Sequence, residues 1–442
     1  MAEFDQNYLE TCAQSALDQA AALGAAEAEI SISQGSGFSV TARMQEVETL
    51  EHHRDQGLSV TVYFDQRKGN ASTTDLSSDA IKETVEKACS MARFAAADDC
   101  AGLADKELLA TSVPDLDLYH PWQIEVPDAI DLALACEAAA LDVDSRIGNS
   151  EGATISVAEG VQVYANSLGF CGGYPDTHHS ISCSVLAKDS GEMQRDYEYS
   201  VSRHPDGLTA ADVIGREAGE RALARLGSQK LKTATVPVLF PARLARGLIG
   251  HFVGAVSGGA LYRKASFLLD TINTPVMASH ISIQEDPHLL RGLGSAPFDG
   301  EGVATKPRSL VDAGVLQGYV LGSYSARKLG MQSTGDAGGV HNLLVSHSDK
   351  DFSALLAEMD TGLLVTELMG QGVNTVTGDY SRGAAGFWVE KGQIQYPVHE
   401  ITIAGNLGDM LMNVVAVGND IDRRSTIQCG SMLLQSMTVA GS

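Results

Sequence analysis

The residue patterns that most often carry metal-dependent or phosphate chemistry are missing from this 442-residue chain. It has no H-E-x-x-H motif, which would place two imidazoles and a general base on one helix around zinc. It also has no G-x-x-x-x-G-K-[ST] loop for phosphate groups. Gly254, Gly258 and Gly259 follow a predicted helix rather than a strand, which argues against a dinucleotide loop.

Histidines are the next candidates for metal binding. Two adjacent pairs occur, His52-His53 and His178-His179. Adjacent side chains point apart on a strand and do not face each other on a helix, so we expect neither pair to bind a metal jointly. His341 and His347 lie in or beside a glycine-rich stretch, and we expect both at the surface.

The cysteines favour a protein with reduced thiols. Their number is odd, their spacing is scattered and no C-x-x-C pair occurs, at Cys12, Cys89, Cys100, Cys136, Cys171, Cys183 and Cys429. This distribution argues against a disulfide framework and against a structural zinc site.

Charge and hydropathy exclude two classes of partner. The net charge of −25 and the pI near 4.7 give a surface that repels nucleic-acid phosphates and anionic lipids. The N-terminus MAEFDQNYLE lacks an apolar signal region, and no run of about 18 apolar residues occurs. We therefore predict a cytoplasmic chain that binds neither nucleic acid nor membrane directly.

Apolar periodicity predicts an α+β fold in three parts. Residues 1-105 and 106-232 each show a helix, a strand meander and a second helix. Residues 233-442 are predicted to form a β-rich, glycine-rich C-terminal domain. The shared order of the first two parts indicates two related units.

Two local predictions bear on the geometry of a site. Ala153–Ala158 and Val161–Ala165 are predicted strands, with Glu159-Gly160 as a hairpin turn between them. The apolar stripe after Pro241 predicts a helix over Arg243–Val256.

The stretch from Gly370 to Asp409 is the most informative part of the chain. It predicts strands separated by turns, with Lys391-Gly392 as a hairpin turn. Glycines leave part of its backbone uncovered, so it is a candidate groove for an extended peptide bound by strand addition. The candidate groove residues are Gly372, Asn374, Gly378, Asp379 and Ser381. The alternative is that these glycines serve only tight turns.

This stretch resembles the C-terminal signature of the TldD/TldE (PmbA) family. The family pattern is G-G-x-V-N-x-x-T-G-x-[FY]-S, an apolar strand, G-x-I-x-x-P-V and I-x-G-N. The matching residues are Gly370, Val373, Asn374, Thr377, Gly378, Tyr380, Ser381, Gly392, Ile394, Pro397, Val398, Ile403, Gly405 and Asn406. Gln371 departs from the second glycine. Cys429-Gly430-Ser431 and the residues after it are similar to the TldE (PmbA) branch.

The resemblance implies a peptidase built from two paralogous subunits. The TldD-type subunit carries H-E-x-x-x-H and a later cysteine as zinc ligands, with glutamate as general base. In this chain the corresponding helix has His251, but Phe252 stands at the base position and Val256 at the second imidazole. Because zinc needs about three protein ligands, we expect no metal or other cofactor in this chain. Cys429 is an unsuitable substitute, since it is displaced toward the terminus.

The resemblance therefore predicts the zinc-less subunit of a heteromeric peptidase, with zinc in a TldD-type partner. The assembly would cleave unfolded or extended peptides, in peptide-antibiotic maturation of the microcin type and in antitoxin degradation. The isolated chain is a candidate homodimer. Two alternatives remain open, an autonomous metal-dependent hydrolase and a non-catalytic peptide-binding or chaperone-like protein.

Overall fold

The first unit consists of a helix, three strands and a second helix. The computed structural model describes residues 4–441. The elements of this unit are α1 (Gln6–Ala22), β1 (Glu27–Arg43), β2 (Glu46–Phe64), β3 (Arg67–Thr73) and α2 (Ser78–Phe94). α1 begins where the Asp5 side chain accepts a hydrogen bond from the Tyr8 N–H, which is a helix N-cap.

The second unit repeats this order of elements. It contains α3 (Val126–Leu141), β4 (Ile147–Asn166), β5 (Cys171–Asp189), β6 (Glu192–Ser202) and α4 (Ala211–Ala224). Pro127 lies in the first turn of α3, where its missing N–H costs no helical hydrogen bond. The matching order supports the interpretation of two related units.

Both units share one six-stranded sheet, in the order β3-β2-β1-β4-β5-β6. The antiparallel pairing of β1 with β4 joins them. Ile30, Ile32 and Val40 share one face of β1 by their spacing. The first two pack with α1 and α2, and Val40 packs with α3 and α4. All four helices therefore cover the same face of the sheet, and the opposite face is left for the C-terminal domain.

The predicted turn at Glu159-Gly160 is wrong, because both residues lie inside the continuous strand β4. There Gly160 pairs with Gly35 of β1 and Asp176 of β5. A Cβ atom at Gly160 would come within 3.0 Å of the Gln34 carbonyl oxygen. The glycine thus permits close approach of two strands, a role that glycine also has in sheets.

The C-terminal domain mixes short helices with many strands. Its elements are β7 (Ala234–Phe240), α5 (Ala242–Ala255), α6 (Gly258–Tyr262), β8 (Ile283–Glu285), β9 (Arg308–Asp312), β10 (Val315–Leu316), α7 (Ser323–Lys328), β11 (Leu343–Val345), α8 (Phe352–Met359), β12 (Gly362–Met369), β13 (Asp379–Glu390), β14 (Gln393–Asn406), α9 (Leu407–Met412), β15 (Val414–Val417), β16 (Ile427–Gln428) and β17 (Met432–Ala440).

Two sheets organise this domain. The smaller has the strand order β10-β9-β8-β11-β16, and the larger has the order β14-β13-β12-β7-β17-β15. A further pairing of β14 with β17 closes five strands of the larger sheet into a ring. The fold is therefore α+β with a β-rich C-terminal part, as predicted.

Two local predictions in this domain are confirmed. The helix predicted over Arg243–Val256 is α5, displaced by one residue at each end. The turn at Lys391-Gly392 joins β13 to β14, and both residues have the positive φ angles of a tight hairpin. Within residues 4–441, no helix is both long and apolar enough to cross a membrane.

Candidate functional site

Helix α5 and its C-cap carry His251, Phe252 and Val256, the three residues that the resemblance predicts at the positions of the zinc motif. Its apolar positions recur at helical spacing, so Ala245, Ile249 and Phe252 are fully buried in the main core of the C-terminal domain. His251 lies beside this stripe and is only half-buried.

His251 faces an aromatic ring and a cation. Its imidazole meets the ring of Tyr380 edge-on, with the ring centroids 6.0 Å apart and an interplanar angle of 73°. Burial and the nearby Arg382 guanidinium lower the pKa of His251 below its ordinary value. Because the neutral imidazole is favoured, His251 is suited to packing at neutral pH.

The surroundings of α5 do not fit a zinc ion. Phe252 and Val256 have no exposed surface and no ligand atom. The Cys429 thiol is fully buried and donates to the Gly430 carbonyl at 3.1 Å, and burial raises the pKa of Cys429 to about 12. Zinc binds the thiolate rather than the thiol. His251 therefore lacks the additional donors that a zinc site needs.

Three of the predicted groove residues, Gly372, Asn374 and Gly378, lie in the loop between β12 and β13, and the loop pairs with Asp379 and Ser381 at the start of β13. The Ser381 N–H donates to the Gly372 carbonyl at 2.7 Å, and the Asn374 N–H donates to the Asp379 carbonyl at 2.8 Å. A Cβ atom at Gly372 would lie 1.8 Å from the Ser381 carbonyl oxygen. Gly378 has a φ angle of +80°, so the turn requires glycine there.

These hydrogen bonds decide how the loop could bind a ligand. Since Gly372 and Ser381 already pair with each other, their backbone groups are not free for strand addition. The side chains of Asn374, Asp379 and Ser381 are exposed, so contact with a peptide at this loop remains a prediction based on side chains.

Tyr380 brings the two predicted groups together. It lies inside the loop segment, on β13, and its ring contacts His251 of α5. The structure thus places His251 and the candidate groove next to each other, although they are distant in sequence.

The expectation that His341 lies at the surface is wrong, because its exposed fraction is 8%. Its ring nitrogens contact the carbonyl oxygens of Gly294 and Gly335 at 3.2 and 3.0 Å. Its side chain lies with Glu285 and Asp336 in the one group of three possible metal ligands found among residues 4–441. Residues from four separate segments meet here, so spacing in the sequence gave no signal.

Arg308 supplies the positive charge between the acidic residues of this cluster, where a metal ion would otherwise bind. Arg308 Nε donates to Glu285 at 2.7 Å, and Arg308 Nη2 lies 2.8 Å from Asp336. Burial raises the pKa of Asp336 to about 8. Burial also disfavours the charged form of Glu285, but Arg308 and the His341 N–H outweigh it and hold the pKa of Glu285 below its usual value. The cluster is therefore a neutralised ion pair rather than an open metal site.

The remaining candidate histidines do not assemble a site. His52 and His53 are exposed on β2, His178 is exposed on β5, and His347 is exposed in a loop. His179, on the other face of β5, is fully buried and its Nε2 contacts the His120 carbonyl at 2.9 Å.

A serine motif in the second unit also fails to form a site. Residues 148–152 read G-N-S-E-G, which has the spacing of a nucleophile elbow. Ser150 nevertheless lies inside β4, fully buried, and its hydroxyl accepts a hydrogen bond from the Gly152 N–H at 2.8 Å. A buried serine in a continuous strand is not an exposed nucleophile.

A large cleft lies between the shared sheet and the C-terminal domain. It has a volume of about 960 Å³, which is in the upper part of the range for ligand pockets. Hydroxyl groups of Ser31, Ser59 and Thr73 line one wall, and Gly338 and Gly339 line the other. Both glycines have positive φ angles and open space beside Cα.

Comparison with known proteins agrees with this three-part architecture. Models of the PmbA/TldA metallopeptidase domain 1, central domain and C-terminal domain match residues 28–92, 119–226 and 233–441. The chain belongs to the PmbA/TldA metallopeptidase family. The predicted resemblance to the TldD/TldE (PmbA) family is thereby confirmed.

The relatives extend across the family. The chain is 52% identical to Metalloprotease PmbA of Escherichia coli O157:H7 over 414 residues, which cover 94% of this chain and 92% of that protein. It is 21% identical to a Metalloprotease TldD homolog of Buchnera aphidicola over 432 residues, which cover 88% and 87%.

Solved structures of the PmbA/TldA type share the fold. A proposed modulator of DNA gyrase from Bacteroides thetaiotaomicron is 30% identical, with a TM-score of 0.94 and coverage of 99% of this chain and 100% of that one. TldE from Thermococcus kodakarensis is 19% identical, with a TM-score of 0.81 and coverage of 97% and 100%.

Proposed function

We propose that this chain is the non-zinc-binding, TldE/PmbA-type subunit of a heteromeric TldD/TldE metallopeptidase. The observation that carries the proposal is the pair Phe252 and Val256, two fully buried apolar side chains at the positions of the family's base and second imidazole. Replacing a general base by a phenyl ring removes any group that accepts a proton from water. The zinc ion would be supplied by a TldD-type partner.

An autonomous hydrolase is the less favoured function. The one three-ligand cluster among residues 4–441 is the set of Glu285, Asp336 and His341. Its two carboxyl groups contact Arg308, and both imidazole nitrogens contact backbone carbonyls. A metal ion would have to displace a buried guanidinium, which is costly because it leaves an unpaired buried charge.

The 960 Å³ cleft supports a role in holding substrate. Its walls combine hydroxyl groups, exposed glycine backbone and the rings of Tyr164, Tyr174 and Phe298. Such walls offer hydrogen bonds and apolar contact without selecting one charge, as suits unfolded or extended peptides of varied sequence. In a heteromer this chain would form part of the wall of a closed cavity.

The biological roles proposed for the assembly are cytoplasmic. They are maturation of a peptide antibiotic and degradation of an antitoxin, both of which present flexible chains to a peptidase. The acidic surface, with a net charge of −25, makes any influence on DNA gyrase indirect, since it repels DNA.

The experiment is reconstitution with a TldD-type subunit. Each chain alone and the two together are assayed for zinc by elemental analysis and for cleavage of an unstructured peptide by mass spectrometry. We expect co-purification, with zinc and cleavage depending on the intact H-E-x-x-x-H motif of the partner. Cleavage and stoichiometric zinc in this chain alone would establish the autonomous hydrolase instead. Peptide binding with no gain in cleavage on adding the partner would establish a chaperone-like role.

A further inference from the structure

A second cavity lies at the N-terminus of α5, between the second unit and the C-terminal domain. It has a volume of about 620 Å³. Four arginines line it, at Arg221, Arg243, Arg423 and Arg424. Two carboxylates line it as well, so the walls carry an excess of positive charge in a chain whose net charge is −25.

Both carboxylates in the walls are already engaged. Asp420 accepts hydrogen bonds from the Ser431 N–H at 2.9 Å and the Ser431 hydroxyl at 2.5 Å. Asp422 binds the Arg424 guanidinium through both oxygens, at 2.9 and 3.1 Å. Asp422 is therefore paired with Arg424. Asp420 keeps its charge, but among residues 4–441 no arginine nitrogen lies within 4.0 Å of it.

Arg221 and Arg424 are also closely paired, whereas Arg243 has only distant carboxylate partners and Arg423 has none among residues 4–441. Both paired guanidinium groups bind the buried carboxylate of Glu198 at 2.5 Å. Arg423 is exposed, and among residues 4–441 no carboxylate oxygen lies within 4.0 Å of it.

Arg243 has weak partners only. Its guanidinium stacks on the ring of Tyr197 at 4.6 Å, and its nearest carboxylate oxygens, on Asp196 and Glu198, are 3.9 Å away. These distances exceed those of charge-assisted hydrogen bonds. Arg243 and Arg423 are thus two cations without close counterions in one cavity.

Two further features of the cavity suit an anion. Pro241 is the N-cap of the 14-residue helix α5 and has no capping side chain. The Ser431 hydroxyl accepts a hydrogen bond from the Ala242 N–H at 3.0 Å, so one N–H group at the positive end of the helix dipole is already satisfied and the rest of that end faces the cavity. The Thr366 hydroxyl oxygen is buried, lines the cavity and has no hydrogen-bond partner within the described chain. A hydroxyl in this state can donate to an oxyanion.

The remaining walls are apolar. Phe352, Leu364 and Ile421 contribute to them. The cavity is also much larger than the volume of one water molecule, about 30 Å³. We propose that this cavity binds an organic oxyanion, a carboxylate or phosphate group on an apolar body, with Arg243 and Arg423 as the residues that bind the charge. This site is separate from the His251 motif and does not depend on a peptidase partner.

Isothermal titration of the full-length chain tests the proposal with three probes. They are inorganic phosphate, acetyl-Leu-Leu with a free carboxylate, and the same dipeptide as its C-terminal amide. Binding of the free acid but not the amide identifies a carboxylate site, and binding of phosphate identifies a phosphate site. Either result supports the proposal. Absence of binding by both oxyanions, or equal binding of the amide, overturns it.

Variants then locate the bound charge. Each of Arg423→Gln and Arg243→Gln should weaken binding about tenfold, since a hydrogen bond to a charged group contributes about 1.5 kcal/mol or more. Arg423 is exposed and unpaired, so its variant remains informative if Arg243→Gln disturbs the Tyr197 contact. The matched control is Arg216→Gln on α4, an exposed arginine that pairs with Asp212. Unchanged affinity in Arg423→Gln would overturn the assignment.

Discussion

His251 and Tyr380 form an edge-on aromatic contact, with ring centroids 6.0 Å apart, between helix α5 and the candidate groove. The contact links α5 to the first residues of β13. The contact gives His251 a packing role, because its ring packs against Tyr380. The charged group that lowers its pKa is the Arg382 guanidinium.

Replacing His251 by alanine should lower stability without affecting catalysis by the reconstituted enzyme. The lost aromatic contact is worth about 0.5–1.5 kcal/mol beyond its buried area. Urea unfolding measures the loss, and peptide cleavage with a TldD-type subunit measures catalysis. A fall in the zinc content of the complex would contradict the packing role of His251.

The His251→Phe variant adds a pH test. The pKa of His251 is lowered in the folded chain, so its contribution to stability is fully present above about pH 6.5, the ordinary histidine value. It is lost as the pH falls below that value. His251→Phe should therefore lose less stability than the unmodified chain between pH 7 and pH 5. Identical pH profiles would show that His251 titrates normally.

Glu285 and Asp336 should respond differently to amide substitution. Asp336, whose pKa is raised to about 8, is largely protonated at neutral pH, and Asp336→Asn should cost little. Glu285 stays ionised beside Arg308, so Glu285→Gln should cost about 3 kcal/mol by leaving a buried guanidinium unpaired. Urea unfolding at pH 6.5 measures both. Equal losses would contradict the assigned protonation states.

The raised pKa of Asp336 also predicts how the free energy of unfolding depends on pH. A raised carboxyl pKa favours the folded state most at low pH, and that contribution is lost as the pH rises from about 3.8 toward about 8. The Asp336→Asn variant has no carboxyl group that could lose this contribution. The amount by which its free energy of unfolding falls below that of the unmodified chain should therefore shrink between pH 5 and pH 8. A deficit that grows with pH would overturn the direction of the shift.

Two glycines should differ sharply when replaced by alanine. A Cβ atom at Gly372 would lie 1.8 Å from the Ser381 carbonyl oxygen, so Gly372→Ala should destabilise by about 1–3 kcal/mol through overpacking. Gly254 is exposed on α5 with no atom within 4 Å of an added Cβ. Gly254→Ala should stabilise by about 0.5–1 kcal/mol, because alanine loses less entropy in a helix. Thermal unfolding of both variants tests the close packing of the loop.

How much of the fold and of the candidate site could be predicted from the sequence depended on how far apart the interacting residues lie along the chain. α5 and the Lys391-Gly392 turn follow from local periodicity and turn chemistry, and both were predicted. Glu159-Gly160 has the composition of a turn, but its strand is fixed by pairing with β1, a remote segment. His341 likewise looked like a loop residue, and its burial results from contacts with Gly294, Gly335 and Glu285. Long-range partners of this kind leave no periodic signal.

The thiols should react in an order set by exposure. Cys171 is exposed and Cys429 fully buried, and burial raises the pKa of Cys429 to about 12. Partial burial and Glu10 also raise the pKa of Cys171, so its advantage over Cys429 is its exposure. In a disulfide-exchange assay at pH 8, Cys171 should react in the native chain and Cys429 only after unfolding in urea, since the thiolate must reach the reagent. Cys171→Ser should remove the fast phase. Rapid labelling of Cys429 in the native chain, or its protection by added zinc, would contradict the absence of a zinc thiolate.

Restoring the family's motif by the double change Phe252→Glu and Val256→His should disrupt the fold rather than create an enzyme. Both side chains have no exposed surface and pack in the main core. Losing the buried phenyl ring costs at least about 3 kcal/mol, and a carboxylate in its place adds a desolvation cost. The third ligand is also lacking, because the Cys429 thiol stays protonated. The control is Gly254→Glu, an exposed position on the same helix, which should fold normally. Circular dichroism measures folding and elemental analysis measures zinc content. Stoichiometric zinc in a folded double variant would contradict the prediction, because it would show that only two side chains separate this chain from a metal-binding one.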